Sequence, residues 1–508
     1  MQQQIGQLFM VGFDGLEANP HISELIREKR IGGVILFRRN AHTPQQVSAL
    51  CRQLQEINAE VSEAPLLIAL DQEGGMVMRI EQGVTPIPAA MAFQEAGSVE
   101  RCEQINFVSG DEMRQIGINM LLAPVLDINN NPLNPVIGVR AYGEDADTVI
   151  AYGMAALRGQ RAAGVLVTAK HFPGHGDTAT DTHYAMASVP HDKARLRAVE
   201  LAPFRAAIAA GVDAIMTAHL AFPAFETEPA LPATLSRAVL TDLLRGEMGY
   251  DGVVISDCLE MAAIADGVGV PRAAVATLQA GADLVLISHR EERQRAAIDA
   301  VLAAVDSGEL GADRVEQALG RVARLKQNQA VRDWRARPAI PPRLMQAAAL
   351  ALAESLQQAA LRVEGAFRPL ARAVPVCLIT VEVRSHSEID EVALGRNREA
   401  RSSMLPALLA AGLDVREYAL SAEAGEAEVA GALAFAAGAP QIVVQTYNAT
   451  LVAGQRRLLA ALPPERLWVV AGRLPYDLAL APGAQGRLAA YGCRPAALEP
   501  VVRKLLSA

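Results

Sequence analysis

Between Lys170 and His183 the chain gathers a lysine, three histidines (His171, His175, His183) and two aspartates (Asp177, Asp181). They sit in the stretch Lys170-His171-Phe172-Pro173-Gly174-His175-Gly176-Asp177, followed by Asp181-Thr182-His183. An apolar run, Val165–Ala169, precedes them and reads as a buried strand, whereas residues 171–190 show neither helical nor strand period. Titratable groups concentrated in a long loop at a strand end suit catalysis. Asp181 and His183 form the sharpest pair. In an extended loop, residues two apart face the same way, so the carboxylate can accept the imidazole Nδ1–H, fix the tautomer and raise the basicity. On a helix the two would lie about 200° apart and could not meet. A general acid–base group is one use of such a pair; a capping aspartate beside a surface histidine is the other. His171, His175, Asp177 and His183 offer a metal cage in principle. An HxxxH spacing needs a helix, however, and Pro173, Gly174 and Gly176 exclude one, so no metal is expected.

Two further carboxylate motifs lie at strand ends. Asp257 follows Gly252–Ser256 and precedes Cys258-Leu259-Glu260-Met261. There a carboxylate can attack an electrophilic carbon or stabilise a cation, although Asp is also a favoured helix N-cap. Asp71-Gln72-Glu73-Gly74-Gly75-Met76-Val77-Met78-Arg79 combines glycines, which let the backbone turn sharply, with an acid and an arginine. Asp71 can bind ligand hydroxyls and Arg79 a carbonyl or carboxylate, or the two can form a structural pair. Asn134-Pro135-Val136-Ile137-Gly138-Val139-Arg140 offers a second arginine.

These motifs need a frame that presents strand ends together. Short apolar β-type runs recur at Leu8–Phe13, Gly33–Phe37, Leu66–Leu70, Asn119–Pro124, Val165–Ala169, Ala214–Ala218, Gly252–Ser256 and Asp283–Ser288. Helical segments such as Pro44–Asn58, Val99–Gly117, Thr148–Gly164 and Lys193–Gly211 separate them. Alternating strands and helices imply parallel pairing, and eight such units predict a (β/α)8 barrel over residues 1–330, with its active site at the C-terminal strand ends. Those ends read Asp71-Gln72-Glu73, Asp127, Lys170-His171, His219, Asp257 and His289. A proline-rich linker, Arg337–Pro342, and a helix-like Leu344–Gln358 fill residues 331–358. Residues 359–508 then repeat an α/β pattern, with strands at Val376–Val381, Val415–Tyr418, Gln441–Gln445, Leu467–Ala471 and Arg487–Tyr491. This predicts a smaller doubly wound parallel sheet, with helices at Met404–Ala411 and Glu426–Ala437. No Gly-rich phosphate loop follows its first strand, which argues against nucleotide binding.

The chain of 508 residues is 51% hydrophobic and carries a net charge of −9, from 47 Lys and Arg against 56 Asp and Glu. That balance argues against nucleic acid or an anionic membrane as a partner. The cysteines (Cys51, Cys102, Cys258, Cys377, Cys493) are odd in number and form no CxxC, which fits a reducing compartment. The N-terminal stretch lacks the basic and apolar regions of a signal peptide, and nothing approaches the roughly 20 apolar residues of a membrane span. A cytoplasmic location is expected. The sequence carries no signal of oligomeric state.

Together the motifs resemble glycoside hydrolase family 3, in its bacterial two-domain β-N-acetylglucosaminidase branch. The matching stretches are Ala69–Gly75, Val136–Arg140, Lys170–Asp177 with Asp181-Thr182-His183, Met216–His219 and Ile255–Met261; Ala471–Asp477 matches the second domain more weakly. The resemblance implies Asp257 as nucleophile, His183 as acid/base with Asp181 as its partner, and Asp71, Arg79, Arg140, Lys170 and His171 as substrate-binding residues. It implies a retaining, exo-acting enzyme, without cofactor, that removes terminal N-acetylglucosamine from carbohydrates such as muropeptides or chitooligosaccharides. An imidazole acid, neutral after donating its proton, also leaves phosphate open as acceptor, which would make a phosphorylase. A family 3 β-glucosidase takes its acid carboxylate from the second domain and lacks the Asp-x-His loop. A non-catalytic muropeptide-binding sensor would lack the acid or the nucleophile. Two positions depart from the family pattern: Met76, where many members carry arginine, and Thr182, often serine.

Overall fold

The computed structural model describes residues 2–178, 187–228, 230–382 and 403–507. Eight short strands form one parallel sheet: β1 (Phe9–Val11), β2 (Gly33–Leu36), β3 (Leu67–Leu70), β4 (Met120–Leu121), β5 (Leu166–Phe172), β6 (Ala214–Thr217), β7 (Val253–Ile255) and β8 (Val285–Ile287). The order is sequential, and β8 returns to pair with β1 through Phe9↔Val285. A single bridge, Ile255↔Leu284, joins β7 to β8, supported by Ser256 N donating to Leu284 O at 2.9 Å. The sheet is thus the (β/α)8 barrel the alternation predicts. Nearly every strand residue is buried, because helices cover the outside and side chains fill the inside.

The helices begin where the sequence supplies a cap. Thr43 accepts from Gln46 N at the start of Pro44–Ala59, and Asp145 accepts from Thr148 N at the start of Ala146–Ala162. The segment predicted as one helix over Lys193–Gly211 is two, Lys193–Ala198 and Ala202–Ala209. Pro203, which has no amide to donate, starts the second helix rather than continuing the first. A second correction concerns the loop expected from His171. Strand β5 continues to Phe172, with a register shift between Ala169 and Phe172, so Lys170 and His171 are strand residues. Ala187-Ser188 likewise pairs with Leu220-Ala221 inside the stretch read as unpatterned.

After the helix Ala347–Ala359, a second sheet contains β9 (Arg362–Val363), β10 (Val376–Val381), β11 (Val415–Leu420), β12 (Gln441–Thr446), β13 (Leu467–Ala471) and β14 (Gly486–Ala489), in the order β9-β14-β13-β12-β10-β11. Five of these strands are parallel, as expected. The two-residue β9 adds an antiparallel edge that the sequence does not announce. The second sheet's apolar face is continuous with Ala89, Met91, Ala92 and Val139 of the barrel's long loops, in one buried cluster. Met76 and Cys493 also meet across the domains, sulfur to sulfur at 3.6 Å. Met76, one of the two positions that depart from the family pattern, therefore packs in an apolar interface; the other, Thr182, lies outside the described residues. Among the described residues, no helix is long and apolar enough to cross a membrane.

The base of the barrel depends on Asp283, at the start of β8, which is fully buried. Arg245 donates to it at 2.5 Å, Arg314 at 2.7 Å and the Val254 amide at 3.0 Å. Removing the carboxylate would strand arginine charge in a dry site. Asp283→Asn is expected to lower stability by about 3–5 kcal/mol, measured by urea unfolding. A loss below about 1 kcal/mol would show that the pairing is no stronger than an exposed ion pair.

Candidate active site

The C-terminal strand ends open onto one shared pocket. Asp71 follows β3, Arg140 lies on the loop after β4, Lys170 and His171 end β5, and Asp257 follows β7; with Arg79 they share its wall. Six of the eight residues singled out in the sequence thus converge on one cavity. The other two, Asp181 and His183, lie outside the described residues.

At the pocket floor is a compact ion cluster. Lys170 Nζ is 2.7 Å from Asp71 Oδ1 and 2.6 Å from Glu73 Oε1, and its side chain is only 2% exposed. Arg140 clasps Glu73 with two parallel bonds of 2.8 Å, while Arg79 reaches Asp71 Oδ2 at 3.2 Å. Burial alone would raise the pKa of Asp71, but Lys170 and Arg79 outweigh it and hold the carboxyl well below its usual range. Glu73 behaves alike: burial raises it, Arg140 and Lys170 lower it further, and it comes to rest at about 2. Three fixed cations therefore face two fixed anions, and Asp257 lines the same pocket. Such a floor presents donors and acceptors in set directions, as recognition of hydroxyl and amide groups requires.

A second knot holds the loop after β5. Asp127 Oδ1 accepts from the His171 amide at 3.1 Å and the His175 amide at 2.7 Å, while Oδ2 lies 2.7 Å from His171 Nδ1. Burial would raise the Asp127 pKa, but His171 reverses that and holds it down. Asn134 donates to the carbonyls of His175 (2.9 Å) and Gly176 (2.8 Å) and accepts from the amides of Val136 and Ile137. The loop after β4, with Arg140, is thereby tied to the loop after β5. Gly176 has no alternative: a Cβ there would lie 1.5 Å from the Ile128 carbonyl oxygen. Asp177 turns away to His191, at 2.6 Å. His171 and Asp177, two of the residues first grouped as a metal cage, thus pair with Asp127 and His191 respectively.

Asp257 is positioned by its own turn. Oδ1 accepts from the Cys258 amide at 2.7 Å, and His219 Nε2 lies 2.9 Å from the Cys258 carbonyl. A carbonyl only accepts, so Nε2 carries the proton. The second domain braces the opposite rim. Tyr476 accepts from Asn129 at 2.9 Å and donates to Glu144, and Arg473 donates to the Pro135 carbonyl at 3.4 Å. Arg494 binds the Met76 carbonyl at 2.8 Å and Glu81 at 2.7 Å. Glu73, Asp127, Asn134 and His219 are the groups to which sequence reasoning gave no role. Glu73, Asp127 and His219 were visible as polar strand ends, but their partners were not.

A carboxylate facing a hydroxyl-binding floor at a barrel mouth is suited to nucleophilic attack on a bound carbohydrate. Comparison with known proteins points the same way. Residues 1–325 match the Glycosyl hydrolase family 3 N terminal domain. A beta-hexosaminidase of Stenotrophomonas maltophilia is 37% identical over 322 residues, covering 62% of this chain and 92% of that protein. Beta-hexosaminidase A of Pseudoalteromonas piscicida is 36% identical over 329 residues; the match spans 60% of this chain but only 55% of that longer protein. The solved family 3 beta-N-acetylglucosaminidase of Paenibacillus sp. str. FPU-7 superposes with a TM-score of 0.91 at 45% identity, covering 99% of this chain and 96% of that one.

His175 provides a test of the knot. Burial pushes its pKa down to about 4, so the native state holds it neutral while the unfolded chain, near 6.5, takes a proton. The unfolded state binds more protons between those values. Stability should therefore fall as pH drops from about 6.5 to 4, by on the order of 3 kcal/mol from this residue. Asp71 and Glu73, with lowered pKa values, weaken the fold only below the normal carboxylate range. His175→Gln should shrink the stability difference between pH 7 and pH 4.5 by about 2 kcal/mol, read from urea melts. An unchanged difference would show that His175 is not held neutral.

Proposed function

The chain belongs to glycosyl hydrolase family 3, and we propose that it is a retaining, exo-acting β-N-acetylglucosaminidase. Its substrates are terminal β-linked N-acetylglucosaminides such as muropeptides or chitooligosaccharides, handled in the cytoplasm. The observation that carries this reading is the shared pocket: Asp257 lines one cavity with Asp71, Arg79, Arg140, Lys170 and His171. The five cysteines, all free, support a reducing compartment. We take residues 1–330 as the catalytic unit, 331–358 as the connection and 359–508 as a domain that braces the rim.

Asp257 attacks the anomeric carbon as His183, an imidazolium, gives its proton to the departing oxygen. A glycosyl ester forms on Asp257 and the aglycone leaves as an alcohol. The now neutral His183 takes a proton from water, which attacks the same carbon and frees Asp257. Two inversions retain the β configuration. Asp71, Lys170 and Arg140 hold the sugar, and Asp181 accepts the Nδ1–H of His183 and stabilises its charged form.

Proton NMR of the first product from an aryl N-acetylglucosaminide, with and without phosphate, tests the reaction class. The β-anomer of the free sugar is expected, and an α-phosphate or α-sugar would refute retention by hydrolysis; a β-phosphate would make the enzyme a phosphorylase. Asp257→Ala should abolish turnover without altering the fold; activity above a few per cent would move the nucleophile elsewhere. His183→Gly should lose least on substrates with good leaving groups, and azide should partly restore its second step.

Asp181→Asn tests the dyad. The negative partner raises the imidazolium pKa, so the wild type keeps its acid form to higher pH than the variant. The basic limb of the pH–rate profile should move to lower pH, with a fall of about 10²-fold or more at neutral pH. An unchanged profile and a near-normal rate would reduce Asp181 to a loop cap.

A further inference from the structure

Beside Asp257 is a second constellation that the proposed reaction does not use. A Cys258 sulfur, a Glu260 carboxylate oxygen and a His289 ring nitrogen all lie within 4.8 Å of one another, and the three residues are partly buried. They come from adjacent strand ends: Cys258 and Glu260 from the turn after β7, His289 from the turn after β8. Among the described residues, this is the group of three such side chains gathered closely enough to hold an ion. Cys258 and His289 also line the pocket that Asp257 faces.

The donors are held in place by the backbone. Glu260 Oε2 accepts from the His289 amide at 2.5 Å and Oε1 from the Arg290 amide at 3.1 Å, so both strand ends share one anchor. A carboxylate has about four lone-pair positions, and these two bonds leave others for a further ligand. The Cys258 carbonyl is bound by His219 at 2.9 Å, which fixes the main chain carrying the thiol. Phe37 packs against His289 with the rings tilted, their centroids 5.3 Å apart. Arg293 approaches Glu260 only to 3.9 Å and offsets part of its charge.

We propose that Cys258, Glu260 and His289 bind Zn²⁺, and that the bound ion inhibits the enzyme. Thiolate, imidazole and carboxylate together suit Zn²⁺ and disfavour Mg²⁺ or Ca²⁺, which prefer oxygen ligands. Bonds of about 2.0–2.3 Å require donors closer than their present limit, a contraction that side-chain rotation supplies. On binding, the S–H proton passes to water and a Zn–S bond replaces it. Three protein ligands leave a fourth position open towards the pocket, where the carboxylate of Asp257 can enter. An Asp257 lone pair engaged by the ion is withdrawn from attack on carbon. The binding half of this proposal is independent of the glycosidase reading; the inhibitory half rests on Asp257 as nucleophile.

Co²⁺ titrated into the full-length enzyme serves as a spectroscopic stand-in. One equivalent should produce a thiolate-to-cobalt charge-transfer band in the near ultraviolet, and Zn²⁺ should displace it. Cys258→Ser should lose the band, and His289→Ala, whose thiol remains, should bind Co²⁺ at least about 10-fold more weakly. Zn²⁺ should inhibit the wild type competitively with substrate and reversibly with chelator, and Cys258→Ser should need at least about 10-fold more Zn²⁺ for the same effect. No band, or an equal band in Cys258→Ser, would overturn the site. A band with full activity at saturating Zn²⁺ would overturn the inhibition. Should the band form while Asp257→Ala stays active, the ion site stands and the nucleophile assignment falls.

Discussion

A lysine with almost no access to solvent keeps its charge only if carboxylates replace the water it has lost, and that requirement organises the pocket. Lys170 is 2.7 Å from Asp71 and 2.6 Å from Glu73, but these groups belong to segments far apart in the chain. Strand β5, the segment after β3 and the loop after β4 must all be in register before the cluster closes. Desolvating these ions costs several kcal/mol each, and the return depends on geometry near the optimum. A closed barrel supplies that geometry because every strand is held by two neighbours. The cluster is thus both a product of the fold and a check on it: a loop placed wrongly leaves a buried charge without its partner.

Local order around the cluster is carried mostly by main-chain amides rather than by further ions. Asp127 accepts two amides from the segment 171–175, and Asn134 takes two amides and gives to two carbonyls. Such side chains act as substitute strands, satisfying backbone groups where the ladder has ended. The second domain extends the principle outward. Tyr476 and Arg473 reach Asn129 and Pro135, on the same segment that carries Arg140. A domain whose fold contains no described catalytic residue can therefore still influence how substrate is held, by fixing the loops that touch it.

Legibility in the sequence followed physical range. The eight barrel strands were readable because buried parallel strands are continuous apolar runs, and Asp71, Lys170 and Asp257 stood out as polar residues ending such runs. What failed depended on distant contacts. The stretch from His171 was read as loop because charged residues end the apolar pattern, yet pairing with β6 carries the strand on to Phe172. The antiparallel β9 is two residues of ordinary composition that become a strand only against β14. Glu73 and Asp127 were seen but unassigned, since a buried carboxylate gains its role from the arginine or histidine that tertiary structure brings to it. Met76 read as a departure from a ligand contact because its true neighbour, Cys493, is at the other end of the chain.

The charge of the pocket bears on the proposal that an imidazole, rather than a second carboxylic acid, serves as proton donor. Lys170, Arg79 and Arg140 are met by Asp71 and Glu73, and Asp257 shares their pocket. A second carboxylate next to Asp257 would add a negative charge on ionising, raise its neighbour's pKa and weaken the nucleophile. A histidine in that role would avoid this: it is positive while it donates and neutral afterwards, so it adds no negative charge beside the nucleophile or its glycosyl ester. The same neutrality lowers the barrier to an anionic acceptor.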